Sequence, residues 1–450
     1  MEQNKLGWLS IFRLGVVQAA LGALVVLTTS TLNRVMVVEL ALPAIIPGAL
    51  VTVHHAMQML RPRMGFGSDG GARRTPWIIG GMSALALGGF GAAAATTLMA
   101  SHFALGLILA AASFALIGAG VSACGTSLLV LLAKRVAAER RGAAATVVWL
   151  MMIAGFAITA TLAGKLLDPF TARRLLTVTG CVSAGAFLVA VLALWGVEGH
   201  GKAAVDVAAA AEPKADFKTA LRQVWAEPDA RRFTVFVFVA MLAYSAQDLI
   251  LEPFAGMIFS FSPGESTKLS GVQHGGVFIG MLLVAIVTSV FKGTPAASLK
   301  GWVVGGCVAS ALAMSGLVGA GLSAGSGWPL RENVFLLGIA NGVFCIASIG
   351  SMMTLATQGR SAREGTRMGL WGASQAIAFG IGGFAGTVLV DLGKWVLGPS
   401  ANPATAYAIV FGLEAVGFFV AHWLALNTSF AMKPAVAPER PAATGGTPAR

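Results

Sequence analysis

Apolar residues run along this chain in long stretches, interrupted by short polar or glycine-rich segments. A helix crosses the hydrocarbon core of a bilayer with about 20 apolar residues. The pattern therefore predicts twelve spans, at 14–35, 41–60, 76–99, 104–132, 143–164, 175–196, 233–253, 270–291, 301–322, 333–356, 368–390 and 404–426. A β-barrel would show short alternating segments instead. The one long hydrophilic stretch, Val197 to Arg232, divides the spans six and six. Within it Asp216 is placed to cap a short amphipathic helix with Phe217, Leu221, Val224 and Trp225 on one face and Pro228 beyond its end. The expected organisation is a segment 1–13, a six-helix half 14–196, a linker 197–232, a second half 233–426 and a tail 427–450. Pro434, Pro438, Pro441 and Pro448 mark that tail as disordered.

The halves resemble each other. Trp77-Ile-Ile-Gly-Gly81 opens the third span and Trp302-Val-Val-Gly-Gly306 the ninth. Gly120-Val121, Trp149 and Gly164 return as Gly342-Val343, Trp371 and Gly386, each 222 residues on. The fold class expected is an all-α polytopic membrane protein whose two pseudo-symmetric six-helix halves face each other across a central cavity, as in a transporter.

Composition sharpens this. Hydrophobic residues make up 56% and charged residues 11%, too little charge to cover a soluble surface, and 57 glycines suit close helix approach in lipid. A net charge of +12 would suggest nucleic acid in a soluble chain. Here the basic residues sit in loops, where the positive-inside rule and anionic headgroups account for them, and no nucleic-acid partner is expected. With both termini cytoplasmic, 24 of the 31 Lys and Arg lie inside and 7 outside. Met1 to Arg13 carries no cleavable signal pattern, so the first span reads as retained. Cys124, Cys181, Cys307 and Cys345 all lie in apolar runs without CxxC spacing and are expected to pack as small hydrophobes.

Between spans 2 and 3 stands Gly65-Phe-Gly-Ser-Asp69-Gly-Gly-Ala-Arg73-Arg74. It matches a dinucleotide fingerprint by spacing only, because no βαβ unit surrounds it, and no nucleotide is expected. The segment resembles the loop motif of the major facilitator superfamily, with Gly65, Asp69, Arg73 and Arg74 matching. Gly70 stands where the family prefers a basic residue, and Ala72 where it prefers glycine. The resemblance implies a cytoplasmic gate network around Asp69.

Polar residues inside the spans are costly in lipid and mark candidate sites. Asn33, Arg34 and Glu39 close the first span; Gln247, Asp248 and Glu252-Pro253 close the seventh. These are equivalent places in the two halves, so Arg34 and Asp248 are candidates to pair across the pseudo-twofold axis, the alternative being that each snorkels to its own interface. His54, His55 and Gln58 form a third cluster in span 2. Glu414, alone in span 12, needs a partner or a proton. With no Walker loop, HExxH, Gly-x-Ser-x-Gly or acidic metal cluster, the chain is not expected to be an enzyme or to hold a free metal.

The segments Leu32-Asn-Arg-Val-Met-Val-Val-Glu39-Leu-Ala-Leu-Pro43, Arg61-Pro-Arg63-Met-Gly65, Ala246-Gln-Asp-Leu-Ile-Leu-Glu-Pro-Phe-Ala-Gly256 and Gly264-Glu-Ser-Thr-Lys268 resemble the PucC/LhaA family, the bacteriochlorophyll-delivery branch of the major facilitators. The resemblance implies a light-harvesting assembly factor of the bacterial intracytoplasmic photosynthetic membrane, which binds or delivers bacteriochlorophyll or a precursor. Its implied partners are lipid, antenna polypeptides and the pigment-synthesis or insertion machinery. On that footing His54 and His55 become the candidate magnesium ligands, being clearly inside a helix, whereas His102, His274 and His422 read as lying toward span ends; the alternatives are that the pair hydrogen-bonds a neighbouring helix, or that Gln, Asn, water or a backbone carbonyl is the ligand. Two other functions stay open: a proton-coupled transporter of a small solute, using Asp248 or Glu414, and a fixed subunit of a photosynthetic supercomplex.

Overall fold

In lipid every backbone group must find a partner within the protein, and a helix supplies nearly all of them itself. In this computed structural model, residues 6–61, 73–137, 141–198, 222, 225–291, 293–323, 327–358, 364–398 and 400–428 are described. They form α1 (Trp8–Glu39), α2 (Ile45–Leu60), α3 (Thr75–Met99), α4 (Phe103–Arg135), α5 (Arg141–Leu166) and α6 (Ala172–Leu194) in the first half. The second half holds α7 (Pro228–Ile258), α8 (Pro263–Val290), α9 (Leu299–Leu322), α10 (Leu330–Gln358), α11 (Glu364–Leu397) and α12 (Pro403–Leu426). Eleven are long and apolar enough to cross a membrane; α2 is apolar but shorter. No strand occurs among the described residues. Apart from Arg222 and Trp225, the expected linker helix lies outside the described residues, as do Gly65 and Asp69.

Several helices start earlier than hydropathy suggests, two of them by six residues or more. α1 begins at Trp8, and α8 at Pro263 rather than 270, because Ser262 and Glu265 form a capping box there with Pro263 in the first turn.

The internal repeat is carried by packing. Within the first half α1 packs on α5 and α6, α2 on α4, and α3 on α4 and α6; the second half repeats this as α7 on α11 and α12, α8 on α10, and α9 on α10 and α12. Between halves, α5 meets α8 and α11 meets α2. These two seams use the same device. Gly48 of α2 lies where a Cβ would strike Thr387 of α11, and Gly271 of α8 where a Cβ would strike Thr161 of α5. The two tryptophan-glycine motifs also occupy matching places, each lining an outward groove: about 880 Å³ between α9 and α10 beside Trp302 and Gly306, and about 420 Å³ between α3 and α4 beside Trp77 and Gly81.

Candidate functional site

The conspicuous polar features gather where α1 meets α7. In α1 the Thr28 hydroxyl donates to the carbonyls of Leu24 and Val25, and that of Thr29 to Val25. Such back-bonding loosens a helix, and Leu27–Thr31 and Val35–Glu39 are π-helical. In a regular α-helix residues five apart diverge by about 140°; the wider turn, closing at i+5, stacks them. Arg34 therefore reaches Glu39 of its own helix in an ion pair, and its Nη2 donates to the Phe261 carbonyl of the second half at 2.6 Å. Arg34 does not pair with Asp248. Arg34 lies level with Gly256 and Phe261, about two turns further along α7 than Asp248, and the π-helical turn supplies a nearer carboxylate. Asp248 is half-buried, within electrostatic reach of Tyr244, Cys345 and Glu414. The buried Arg34 guanidinium lies against Gly256 of α7, where a Cβ would stand 3.1 Å from Nε and Nη2.

The Gln247-Asp-Leu-Ile-Leu-Glu-Pro253 block owes its character to backbone chemistry. α7 breaks at Ala246 between Pro228–Ser245 and Gln247–Ile258. The Gln247 amide donates instead to Glu414 Oε1 at 2.8 Å. So the partner of the isolated acid of α12 is a main-chain N–H that a helix break sets free. Six residues on, Pro253 has no N–H to offer the Leu249 carbonyl four residues back. Asn33 Nδ2, from the other half, donates to that carbonyl. One break supplies a free donor and the other a free acceptor; each is satisfied by a polar side chain the sequence had singled out. Glu252 is buried at 3% exposure, within reach of the Arg34 charge, yet neither oxygen has a hydrogen-bond partner among the described residues. Ser266 and Ser270 stand beside it with their hydroxyls turned to Ser262, Pro263 and Ser30.

Hydrogen bonds between the halves cluster at the end of the bundle away from the linker. Thr31 bonds Thr267 at 3.0 Å, and Ile45 N donates to Asp391 Oδ2 at 2.7 Å. Asp168 accepts from Ser262 Oγ at 2.5 Å and Lys268 Nζ at 2.9 Å. These two aspartates are counterparts, one residue off the 222-residue spacing, and sequence reading passed over both. Asp391 of the second half caps the start of α2; Asp168 of the first half caps the start of α8, so close that a Cβ on Gly264 would collide with its carboxylate. Burial alone would raise the pKa of Asp168. Bonds from Ser262 and Lys268, the Lys268 charge and the Gly264 amide outweigh it and hold the carboxyl below its ordinary range.

In α2, Arg61 Nη2 donates to Gln58 Oε1, which fixes the amide orientation. Gln58 Nε2 then donates to His54 Nε2 at 3.0 Å and His55 Nδ1 at 3.3 Å. Both imidazoles thus commit an electron pair to Gln58, leaving protons on His54 Nδ1 and His55 Nε2, and neither presents a bare nitrogen to a metal. His55 also packs on Phe379 of α11, with ring centroids 5.8 Å apart, and Phe379 on Tyr244 of α7. His274 lies well inside α8, not near its end. Of the loop motif, Arg73 is exposed, and the Arg74 and Thr75 amides donate to Glu198, tying the end of the first half to the start of α3. Burial works to raise the pKa of Glu198, but the Thr75 hydroxyl, these two amides and the Arg74 charge lower it. The four cysteines are free, Cys124 and Cys307 buried, Cys345 half-buried and Cys181 exposed.

Two six-helix halves joined by these seams make the major facilitator fold. The fold resembles a D-xylose-proton symporter, with TM-score 0.66 and 15% identity over 91% of this chain and 97% of that one. It also resembles a bacterial homolog of the lysosomal transporter Spinster in an inward-facing, occupied conformation, with TM-score 0.65 and 16% identity over 94% and 98%. Residues 31–431 match the PUCC protein family, and the chain belongs to it. It is 50% identical over 420 residues to the "Bacteriochlorophyll synthase 44.5 kDa chain" of Rhodobacter capsulatus, covering 93% of this chain and 95% of that protein. Against Protein PucC of the same organism it is 30% identical over 437 residues, covering 91% and 90%.

Proposed function

We propose that this protein is a light-harvesting assembly factor, which holds bacteriochlorophyll or a late precursor and hands it to antenna polypeptides in the photosynthetic membrane. The observation that carries this reading is kinship with the PUCC protein family over residues 31–431, together with a relative at half identity whose name joins it to bacteriochlorophyll synthesis. The protein binds and positions pigment without covalent chemistry of its own; its partners are lipid, antenna polypeptides and the pigment-synthesis or insertion machinery. Both termini and the linker face the cytoplasm, as the distribution of Lys and Arg favours. Deletion in a phototrophic host tests the proposal: antenna absorption should fall while free pigment is still made. Unchanged antenna would reject it, and loss of all pigment would point to a synthetic role. Labelling of a cysteine placed at position 210 from the periplasm alone would reverse the orientation.

A second reading, proton-coupled transport of a small solute, is favoured by the buried Glu252, whose carboxylate has no hydrogen-bond partner among the described residues. A burst of proton uptake on adding a solute to proteoliposomes would support it.

A further inference from the structure

Resting on the pigment-holding reading above, we propose that His274 of α8 is the axial ligand to the magnesium of a bacteriochlorophyll-class macrocycle. Such a magnesium needs one electron pair from the protein, along the normal to the ring. Neutral imidazole provides it when its other nitrogen is held by a hydrogen bond, which fixes both the tautomer and the ring direction.

His274 meets these conditions. Its Nδ1 lies 2.9 Å from the Ser270 carbonyl, one helical turn back. A carbonyl only accepts, so Nδ1 carries the proton and Nε2 keeps its electron pair. Nε2 has no hydrogen-bond partner among the described residues. Phe156 of α5 packs edge-on against the imidazole, with centroids 4.9 Å apart and planes at 77°, which fixes the ring plane. The residue is half-buried close to the middle of the 28-residue α8, on the seam where the two halves meet. The next residue, Gly275, has no atom within 4 Å of where a Cβ would stand, so the adjoining face of α8 is open. The close Gly271–Thr161 contact one turn away holds α8 against α5.

The other described histidines do not combine these features. His54 and His55 give their electron pairs to Gln58. His102 is exposed at the start of α4 and bonds Ser101. His422 donates to the Val304 carbonyl at 3.2 Å and so has the same tautomer, but it stands one turn from the end of α12, within one half.

The experiment uses the full-length protein in detergent, titrated with bacteriochlorophyll a and separately with bacteriopheophytin a, the same macrocycle without magnesium. Near-infrared absorption and induced circular dichroism give affinity; resonance Raman gives the magnesium coordination state. Wild type should bind bacteriochlorophyll more tightly than bacteriopheophytin. His274→Ala and the ring-preserving His274→Phe should lose bacteriochlorophyll affinity by roughly tenfold or more, with bacteriopheophytin affinity unchanged. Retained bacteriopheophytin binding also certifies that the variants fold. Free imidazole should restore the coordination signature in His274→Gly, and His422→Ala should behave as wild type. Equal loss of both pigments would make His274 a packing residue and overturn the assignment, as would unchanged affinity for both, or loss confined to His422→Ala. Failure of the wild type to bind either pigment would instead reject the pigment-holding reading itself.

Discussion

Removing the two exchanged caps should open the end of the bundle away from the linker. Asp168 and Asp391 each lend a carboxylate to a helix start in the opposite half, where the amides and the helix dipole favour negative charge. Replacing either with Ala removes a cap worth about 1 kcal/mol. At Asp168 the Lys268 ion pair is lost too, but the two side chains are 28% and 34% exposed, so solvent keeps that part below about 1 kcal/mol. The caps sit on separate seams, α5/α8 and α2/α11, so their effects should add. The double variant should then shift the balance of closed and open forms by about 2 kcal/mol, roughly 30-fold. Asparagine, which keeps an acceptor oxygen, should do less at either site.

The assay is a distance distribution between spin labels on the exposed Ser101 of the first half and Glu332 of the second, both at this end, with Cys181 and Cys345 changed to serine. The single variants should each broaden the distribution toward longer distances and the double should move its main peak. An unchanged distribution in the double variant would refute the reasoning, as would one single variant carrying the whole effect. Acid should mimic the Asp168 variant. A carboxyl held below its ordinary range stabilises the latched state above that range, and the contribution fades as pH falls through the lowered value. Loosening should therefore begin below about pH 4, and Asp168→Ala should remove that part of the pH dependence.

Other changes probe the same framework. Glu198→Ala should unfasten the end of α6 from the start of α3 and lower the thermal midpoint; because the Glu198 carboxyl is also held low, the loss should shrink as pH drops through its folded value, and a pH-independent loss would deny it that anchoring role. Glu414→Leu should cost about 1–3 kcal/mol by stranding the Gln247 amide inside the membrane. Glu414→Gln, which still offers an oxygen, should be nearly neutral in denaturant or thermal unfolding; equal tolerance of Leu would discard the assignment. Asn33→Leu should destabilise the wild type but much less so a Pro253→Ala background, where residue 253 regains an N–H for the Leu249 carbonyl. Purely additive effects in that double-mutant cycle would show that Asn33 does not answer Pro253.

What the sequence made legible, and what it hid, follows from the same physics. Lipid imposes length and apolarity on every crossing, so twelve helices and the six-and-six division could be read directly, as could the repeat that returns Trp149 at Trp371. The start of α8 was also written, in Ser262-Pro-Gly-Glu265, and reading that capping box would have placed His274 inside the helix. The polar partners were not legible in this way. Hydropathy places a residue along its helix only coarsely and gives no direction around it, so Arg34 and Asp248 share the polar end of their helices without meeting, and the π-helical turn that joins Arg34 to Glu39 leaves no mark in the pattern. Side chains such as Asn33 and Glu414 find main-chain partners, which a search for complementary side chains passes over. The better question to put to a buried polar residue in such a chain is which helix elsewhere contains a proline or a break. In lipid each interruption of α7 leaves an N–H or a carbonyl that water cannot reach, and that obligation, not attraction between charges, explains why Asn33 and Glu414 stand where they do.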